Sequence, residues 1–130
     1  MSNLISQDIA RYLADNGFGT LDTDINRVVW NDRESKQLLI TDTGGSGSDL
    51  PELYASLKFQ ILSRGEKHKA ADLPGIALNA VHDFLAKAGP VTINGCAYGG
   101  FFPIAPPFAL GPDENDRYIY TCNFSTNRGL

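Results

Sequence analysis

The two histidines are the first candidates for chemistry, because imidazole serves as a metal ligand and as an acid or base near neutral pH. His68 and His82 do not stand at the i, i+4 spacing that places two ligands on one helix face. The sequence also contains no C-x-x-C and no H-E-x-x-H motif. We therefore expect no bound metal, and we interpret His82, which precedes Asp83, as a surface or boundary residue.

A glycine-rich segment, Gly44-Gly45-Ser46-Gly47, superficially resembles a phosphate-binding loop. Such a loop ends in Gly-Lys-Ser or Gly-Lys-Thr and leads directly into a helix. Here Ser48-Asp49-Leu50-Pro51 follows instead, and no βαβ unit supports a dinucleotide site. We interpret the segment as a mobile loop and expect no cofactor.

An acidic run, Asp113-Glu114-Asn115-Asp116, brings four oxygen-bearing side chains together. It lacks the alternating ligands, central glycine and final glutamate of a calcium-binding loop, and turn chemistry accounts for its composition. A catalytic carboxylate pair is the alternative. Because no Ser-His-Asp set and no G-x-S-x-G motif occurs, we expect no catalytic residues and no enzyme activity.

Composition narrows the class of protein further. The net charge of −4 disfavours binding of nucleic acid through phosphate neutralisation. Cys96 and Cys122 are too few for a disulfide framework, and their apolar neighbours predict two buried thiols. The N-terminus lacks the features of a signal peptide, and no apolar run is long enough to cross a membrane. We expect a single domain, residues 1–130, that folds in the cytoplasm.

The elements that must position these residues follow from apolar periodicity. Helical spacing predicts helices over Asn3–Asn16 and Leu73–Ala88, the second with Pro74 near its start. Short apolar or alternating runs predict strands over Arg27–Asn31, Gln37–Thr41 and Ala55–Arg64.

The final third of the chain is predicted to be all β. Asn94-Gly95 indicates a tight hairpin between Val91–Ile93 and a strand from Cys96. The segment Tyr98–Leu110 is apolar, but three prolines exclude one regular central strand. A closing strand follows in which alternate residues share one face: Tyr118, Tyr120, Cys122 and Phe124. The predicted fold is α+β, an antiparallel or mixed β-sheet packed against two α-helices.

The order of these features resembles the tail-terminator or minor capsid protein family of long-tailed bacteriophages. The matching segments, spread over nearly the whole chain, are residues 17–21, 41–45, 59–65, 93–95, 110–117 and 120–124. The sequence departs from the family at Pro74, where family members usually have an uninterrupted helix. It departs again at Ser46-Gly47-Ser48, where prolines often follow the two glycines.

The resemblance implies a structural virion protein at the head-proximal end of the tail. Such proteins assemble as a ring, usually a hexamer, that caps the tail tube, ends its polymerisation and forms the tail-side surface of the head–tail joint. The implied partners are further copies of the chain, the tail tube protein and a head-completion or connector protein. DNA passes through such a ring without specific binding, and no membrane is involved.

Two segments are predicted to make these contacts. The first is the loop Gly44, Gly45, Ser46, Gly47, Ser48 and Asp49, which we expect to become ordered on docking. The second is the proline-rich segment from Phe101, with its large apolar side chains: Phe101, Phe102, Ile104, Phe108 and Leu110. The alternative for this group is burial in the core. Alternative functions are a different connector protein, or a small module that binds a ligand in a pocket at Tyr98–Leu110.

Overall fold

Two helices and six strands form in the computed structural model, which describes residues 4–31, 35–44, 54–67 and 69–129. In chain order they are α1 (Ile5–Asp15), β1 (Ile25–Arg27), β2 (Gln37–Asp42), β3 (Tyr54–Arg64), α2 (Leu73–Lys87), β4 (Val91–Ile93), β5 (Cys96–Pro112) and β6 (Tyr118–Gly129). The strands form one sheet in the order β1-β2-β3-β6-β5-β4. Because β1 runs parallel to β2 and the other pairs are antiparallel, the predicted α+β fold with a mixed sheet is confirmed.

The first helix begins where its N-terminal N–H groups find acceptors. The carboxylate of Asp42, the last residue of β2, accepts hydrogen bonds from the backbone N–H of Ser6 at 2.8 Å and from its hydroxyl at 2.6 Å. The buried apolar side chains of α1 recur at helical spacing: Ile5, Ile9 and Leu13. The predicted helix is confirmed, although Asn3 lies outside the described residues.

The second helix matches its predicted bounds closely. Pro74 lies in its first turn, where the missing N–H has no intrahelical partner to lose. Gly89, with a φ of 65°, follows its C-terminal end, as a residue without a Cβ readily does. One face of α2 is buried on the sheet: Pro74, Leu78, Val81 and Leu85.

Aromatic rings fill the centre of the core, between the helices and one face of the sheet. Phe59 and Phe124 are opposite each other on β3 and β6, and their rings stack with centroids 5.4 Å apart. The ring of Phe101 meets Phe59 edge-on at 6.0 Å. These pairs join three neighbouring strands under the helices.

The first strand does not lie where the sequence predicts it. The predicted strand Arg27–Asn31 is wrong, because the chain pairs with β2 only over Ile25–Arg27. It leaves the sheet at Val28, whose φ of 70° lies in the left-handed region that β-branched residues rarely adopt. Val28 and Val29 are consequently exposed. A run of three apolar residues shows hydrophobicity but not which way the side chains face.

The proline-rich segment forms one long irregular strand. The pairing of β5 with β6 shifts register at four places, consistent with the prediction that no regular strand is possible here. Only Cys96–Tyr98 also pairs with β4, through the predicted Asn94-Gly95 turn, whose φ angles are both positive. Beyond Tyr98, no described strand pairs with the other side of β5. The prolines therefore lie on an edge of the sheet, where they are tolerated.

The predicted alternation in β6 is confirmed at Cys122 and Phe124, which are both buried. Thr121, which the alternation assigns to the opposite face, is also buried, and its hydroxyl donates to the carbonyl oxygen of Ile61 at 3.3 Å. Burial raises the pKa of the Cys122 thiol to about 12. Cys96 is only half-buried, so the prediction of a buried thiol is wrong there.

Candidate interaction surfaces

The distal half of β5 carries a row of exposed apolar side chains, which we call the apolar strip: Phe102, Ile104, Phe108 and Leu110. Their exposed fractions are 49, 56, 45 and 54 %. Of the side chains of β5, only Cys96, Tyr98 and Phe101 contribute to the hydrophobic core. Phe102 is exposed because it points away from the core, and Ile104, Phe108 and Leu110 lie past the region that the core covers. Neighbouring apolar side chains left in solvent mark interaction sites on many proteins.

Phe101 was predicted as part of the same contact surface, but the structure places it in the core. It is 3 % exposed, and its ring lies 6.2 Å from that of Tyr12 and 5.8 Å from that of Tyr98. The alternative of core burial thus holds for Phe101, whereas Phe102, Ile104 and Phe108 remain on the surface. Residues 101 and 102 point to opposite faces because side chains alternate along a strand.

The glycine loop begins directly after β2. Gly44 is exposed with a φ of 81°, and its carbonyl oxygen accepts a hydrogen bond from the backbone N–H of Lys58 at 2.6 Å. The remaining residues of the predicted contact loop, Gly45–Asp49, lie outside the described residues. The structure therefore places only the start of this loop, beside β3.

The acidic run forms the turn between β5 and β6, as turn chemistry predicts. One carboxylate oxygen of Asp113 accepts hydrogen bonds from the backbone N–H groups of Asn115 at 2.9 Å and Arg117 at 3.0 Å. The other lies 3.2 Å from Nε of Arg117. Burial alone would raise the pKa of Asp113, but these hydrogen bonds and the Arg117 charge hold it below its usual value. Glu114 and Asp116 remain exposed on the turn.

A buried carboxylate that the sequence analysis missed ties α1 to the β4–β5 hairpin. Asp8 is fully buried, and it accepts hydrogen bonds from the Tyr98 hydroxyl and, at 3.0 Å, from the side-chain amide of Asn94. Burial and the bond to Asp8 raise the pKa of Tyr98 above its ordinary value. The available signal was the position of Asp8, three residues after Ile5 on the buried face of α1.

A groove of about 780 Å³ opens between the first half of α2, the loop after α1 and the ends of β2 and β3. We call it the α2 groove, and its apolar lining includes Phe18, Leu38, Pro74, Ala77 and Val81. None of its lining residues belongs to Tyr98–Leu110. The groove is therefore a different site from the ligand pocket suggested at Tyr98–Leu110, which stays a prediction.

The remaining reactive side chains of the described part of the chain are dispersed. No three His, Cys, Asp or Glu side chains within it are close enough together to hold a metal ion. His82 is half-buried, with its ring 5.2 Å from that of Phe124, as predicted for a boundary residue. His68 lies outside the described residues. Neither described helix has the length and apolar composition needed to span a bilayer.

Comparison with known families identifies the kind of protein. The family described as "Bacteriophage tail terminator protein" matches residues 12–128. The chain belongs to this family. No curated protein gives a significant match. Family membership makes the chain a structural protein of the phage virion tail, where it interacts with other virion proteins. The apolar strip, the acidic turn and the α2 groove all lie within the matched range.

Proposed function

We propose that the chain forms a hexameric ring at the head-proximal end of the phage tail. The ring caps the last ring of the tail tube, ends tube polymerisation and presents the tail-side surface of the head–tail joint. Each subunit contributes one domain, residues 1–130, and folds in the host cytoplasm before assembly. Its partners are further copies of itself, the tail tube protein and a head-completion or connector protein. Membership of the tail terminator family supports this function.

The apolar strip is the observation that carries the self-assembly part of the proposal. A subunit of a ring must present one surface to the copy before it and a different surface to the copy after it. Phe102, Ile104 and Phe108 supply apolar area for one of these surfaces. Pro103, Pro106 and Pro107 lack the N–H group that strand addition requires. The contact therefore proceeds through side chains rather than through an extended sheet.

The glycine loop is proposed as a second contact element, facing the tube or the head. Gly44 starts it beside β3, and Gly45, Ser46, Gly47, Ser48 and Asp49 complete it. A loop that becomes ordered on docking can cover a large area of its partner while binding with modest affinity, because the loss of conformational entropy opposes binding. Deletion of Gly45–Ser48 should leave the ring intact but impair tail-length control or head joining, scored by electron microscopy. Normal tails and normal head joining would refute this role.

The test of the ring is the mass in solution, measured by light scattering coupled to size exclusion over a range of concentrations. We expect a hexamer-sized species, or a monomer that adds to tube ends when tail tube protein is present. A monomer under all conditions that ignores tube protein would overturn the proposal.

A charged substitution locates the contact. Phe102→Asp should abolish assembly and leave the unfolding transition unchanged, because the side chain is already in solvent. Leu4→Asp is the matched control, since Leu4 is an exposed apolar residue before α1 where a carboxylate suits the helix dipole. The control should assemble normally. Loss of folding in Phe102→Asp would instead show that this side chain belongs to the core.

A further inference from the structure

Helix α2 carries a second apolar stripe that the sheet does not cover. Its residues follow at i, i+3, i+4 and i+7 along the wall of the α2 groove: Leu73, Ile76, Ala77 and Ala80. Leu73 and Ile76 are among the exposed large apolar residues of the described chain. One side of α2 is thus buried on the sheet, and a neighbouring side stands in solvent beside a concave apolar surface.

The dimensions of the groove match the distal end of the apolar strip. From Leu73 to Ala80 the helix rises about 10 Å. Three residues of a strand span about the same distance. The wall therefore accommodates a segment such as Phe108–Leu110, with two exposed large apolar side chains, but not the whole strip.

The charges beside the two surfaces are complementary. Exposed lysines flank the groove at Lys36 and Lys69, with Lys67 nearby, against the carboxylates of Asp24 and Glu66. The turn that follows the strip is acidic: residues 113–117 carry three carboxylates and one arginine, and that arginine pairs with Asp113. A copy that brings Phe108–Leu110 to the groove also brings an acidic turn towards the lysines.

The α2 groove and the end of the apolar strip lie at the same position along the strand direction, towards opposite edges of the sheet. Pairing aligns Gln37 with Arg64, Arg64 with Ile119 and Ile119 with Gly111. The groove lies over the β2 and β3 ends of this row, and the strip ends at its β5 side. Copies placed side by side at this level can therefore repeat one contact around a ring, which is the heterologous arrangement that closes on rotation.

We infer that the α2 groove binds Phe108, Leu110 and the acidic turn of a neighbouring copy of the same chain. The inference rests on the proposed ring and adds which two surfaces meet. The apolar side chains fill the groove beside Leu73 and Ile76, and the lysines at its rim face Glu114 and Asp116. Each subunit thus donates the end of its β5–β6 hairpin and accepts that of the next, and Phe102 and Ile104 meet the same neighbouring copy outside the groove.

A mixing experiment tests this donor-and-acceptor arrangement. Ile76→Asp damages the groove and leaves the donor intact, whereas Phe108→Asp damages the donor and leaves the groove intact. Each variant alone should be monomeric. An equimolar mixture should form heterodimers, because one sound groove can still accept one sound donor, and native mass spectrometry distinguishes the two chains by mass.

The outcomes separate the inference from the proposed function. If the wild-type chain forms rings and Ile76→Asp forms the same rings, the groove is not the acceptor and the inference is overturned. If Val29→Asp then blocks assembly, the acceptor is the exposed valine pair after β1. A mixture that stays monomeric also overturns the inference, because the intact donor of Ile76→Asp should bind the intact groove of Phe108→Asp. A wild-type chain that never assembles overturns the proposed ring itself.

A charge exchange provides a second test that does not disturb apolar packing. Lys36→Glu with Lys69→Glu, or Glu114→Lys with Asp116→Lys, should each raise the concentration needed for half-assembly about tenfold. The four changes combined should restore assembly towards the wild-type value. If the combined variant is no better than the separate ones, the acidic turn does not face these lysines.

Discussion

The two halves of β5, residues 96–101 and 102–112, both carry large apolar side chains, but those of the first half are buried and those of the second are exposed. Phe101 and Phe102 are neighbours in sequence, yet the first is 3 % exposed and the second 49 %. The proximal half lies among the aromatic rings of the core, whereas the distal half continues beyond it, paired to β6 along an edge. Whether an apolar residue of β5 is buried therefore depends on the face to which it points and on the elements that pack over that face.

The halves also differ in how they are held. The proximal half is anchored through Tyr98 to the buried carboxylate of Asp8, which also binds Asn94 on the turn after β4. The distal half is held by its irregular ladder with β6 and by the Asp113–Arg117 turn. We therefore expect substitutions in the first half to change the free energy of unfolding, and substitutions in the second to change assembly.

The largest expected effect comes from the adjacent phenylalanines. Phe101→Ala should lower the free energy of unfolding by about 3–5 kcal/mol, because it leaves a cavity among packed rings. Phe102→Ala should lower it by less than about 1 kcal/mol while weakening assembly. Urea unfolding of the monomer measures the first quantity, and light scattering measures the second. Similar losses of stability in the two variants would abolish the distinction between the halves.

Removal of the anchor should have the next largest effect. Asp8→Ala should lower the free energy of unfolding by about 3 kcal/mol, because the buried Tyr98 hydroxyl is left without an acceptor and the exposed Asn94 amide must bond to water instead. Asp15→Ala is the matched control on the same helix, since its exposed pair with Arg11 contributes at most about 1 kcal/mol. If both variants unfold at the same urea concentration, the buried cluster does not anchor the hairpin.

Tyr98→Phe should change both stability and its pH dependence. At neutral pH the loss should be about 2 kcal/mol, for one hydrogen bond to a charged group. The pKa of Tyr98 is raised in the folded chain by burial and by Asp8, so above pH 10.0, its ordinary value, the unfolded chain loses this proton first. Wild-type stability should therefore fall more steeply than that of Tyr98→Phe as the pH rises past that value. If stability fell equally with pH in the two proteins, folding would not change the pKa of the Tyr98 hydroxyl.

The smallest expected effect lies at the junction of the two halves. Gly100 has a φ of 109°, and its carbonyl oxygen accepts a hydrogen bond from the Thr126 hydroxyl at 2.6 Å. Gly100→Ala should lower the free energy of unfolding by about 1 kcal/mol, because a residue with a Cβ is strained at that angle. The neighbouring Gly99→Ala, which has ordinary van der Waals space and no positive φ, should be nearly neutral. Thermal denaturation compares the two variants. Equal decreases in melting temperature would show that the positive φ of Gly100 does not disfavour a residue with a Cβ.

Local signals predicted much of the fold. The two helices, the strand ending at Arg64 and the Asn94-Gly95 hairpin were all predicted near their observed positions, because periodicity, helix stops and turn residues act over a few neighbours. The position of β1 was missed, since its parallel pairing with β2 depends on a contact that no short pattern encodes. For the contact surfaces, the sequence predicted a group of apolar residues on β5 but could not separate Phe101 from Phe102.

Residue types and their spacing were enough to predict the α+β class, the two amphipathic helices and the resemblance to phage tail terminators, which the family match confirms. Three features became visible only in the folded chain: Phe101 belongs to the core, Asp8 is buried against the hairpin, and α2 leaves an apolar stripe beside a groove. Side-chain type and spacing are properties of a segment, whereas burial depends on which distant segment lies over it.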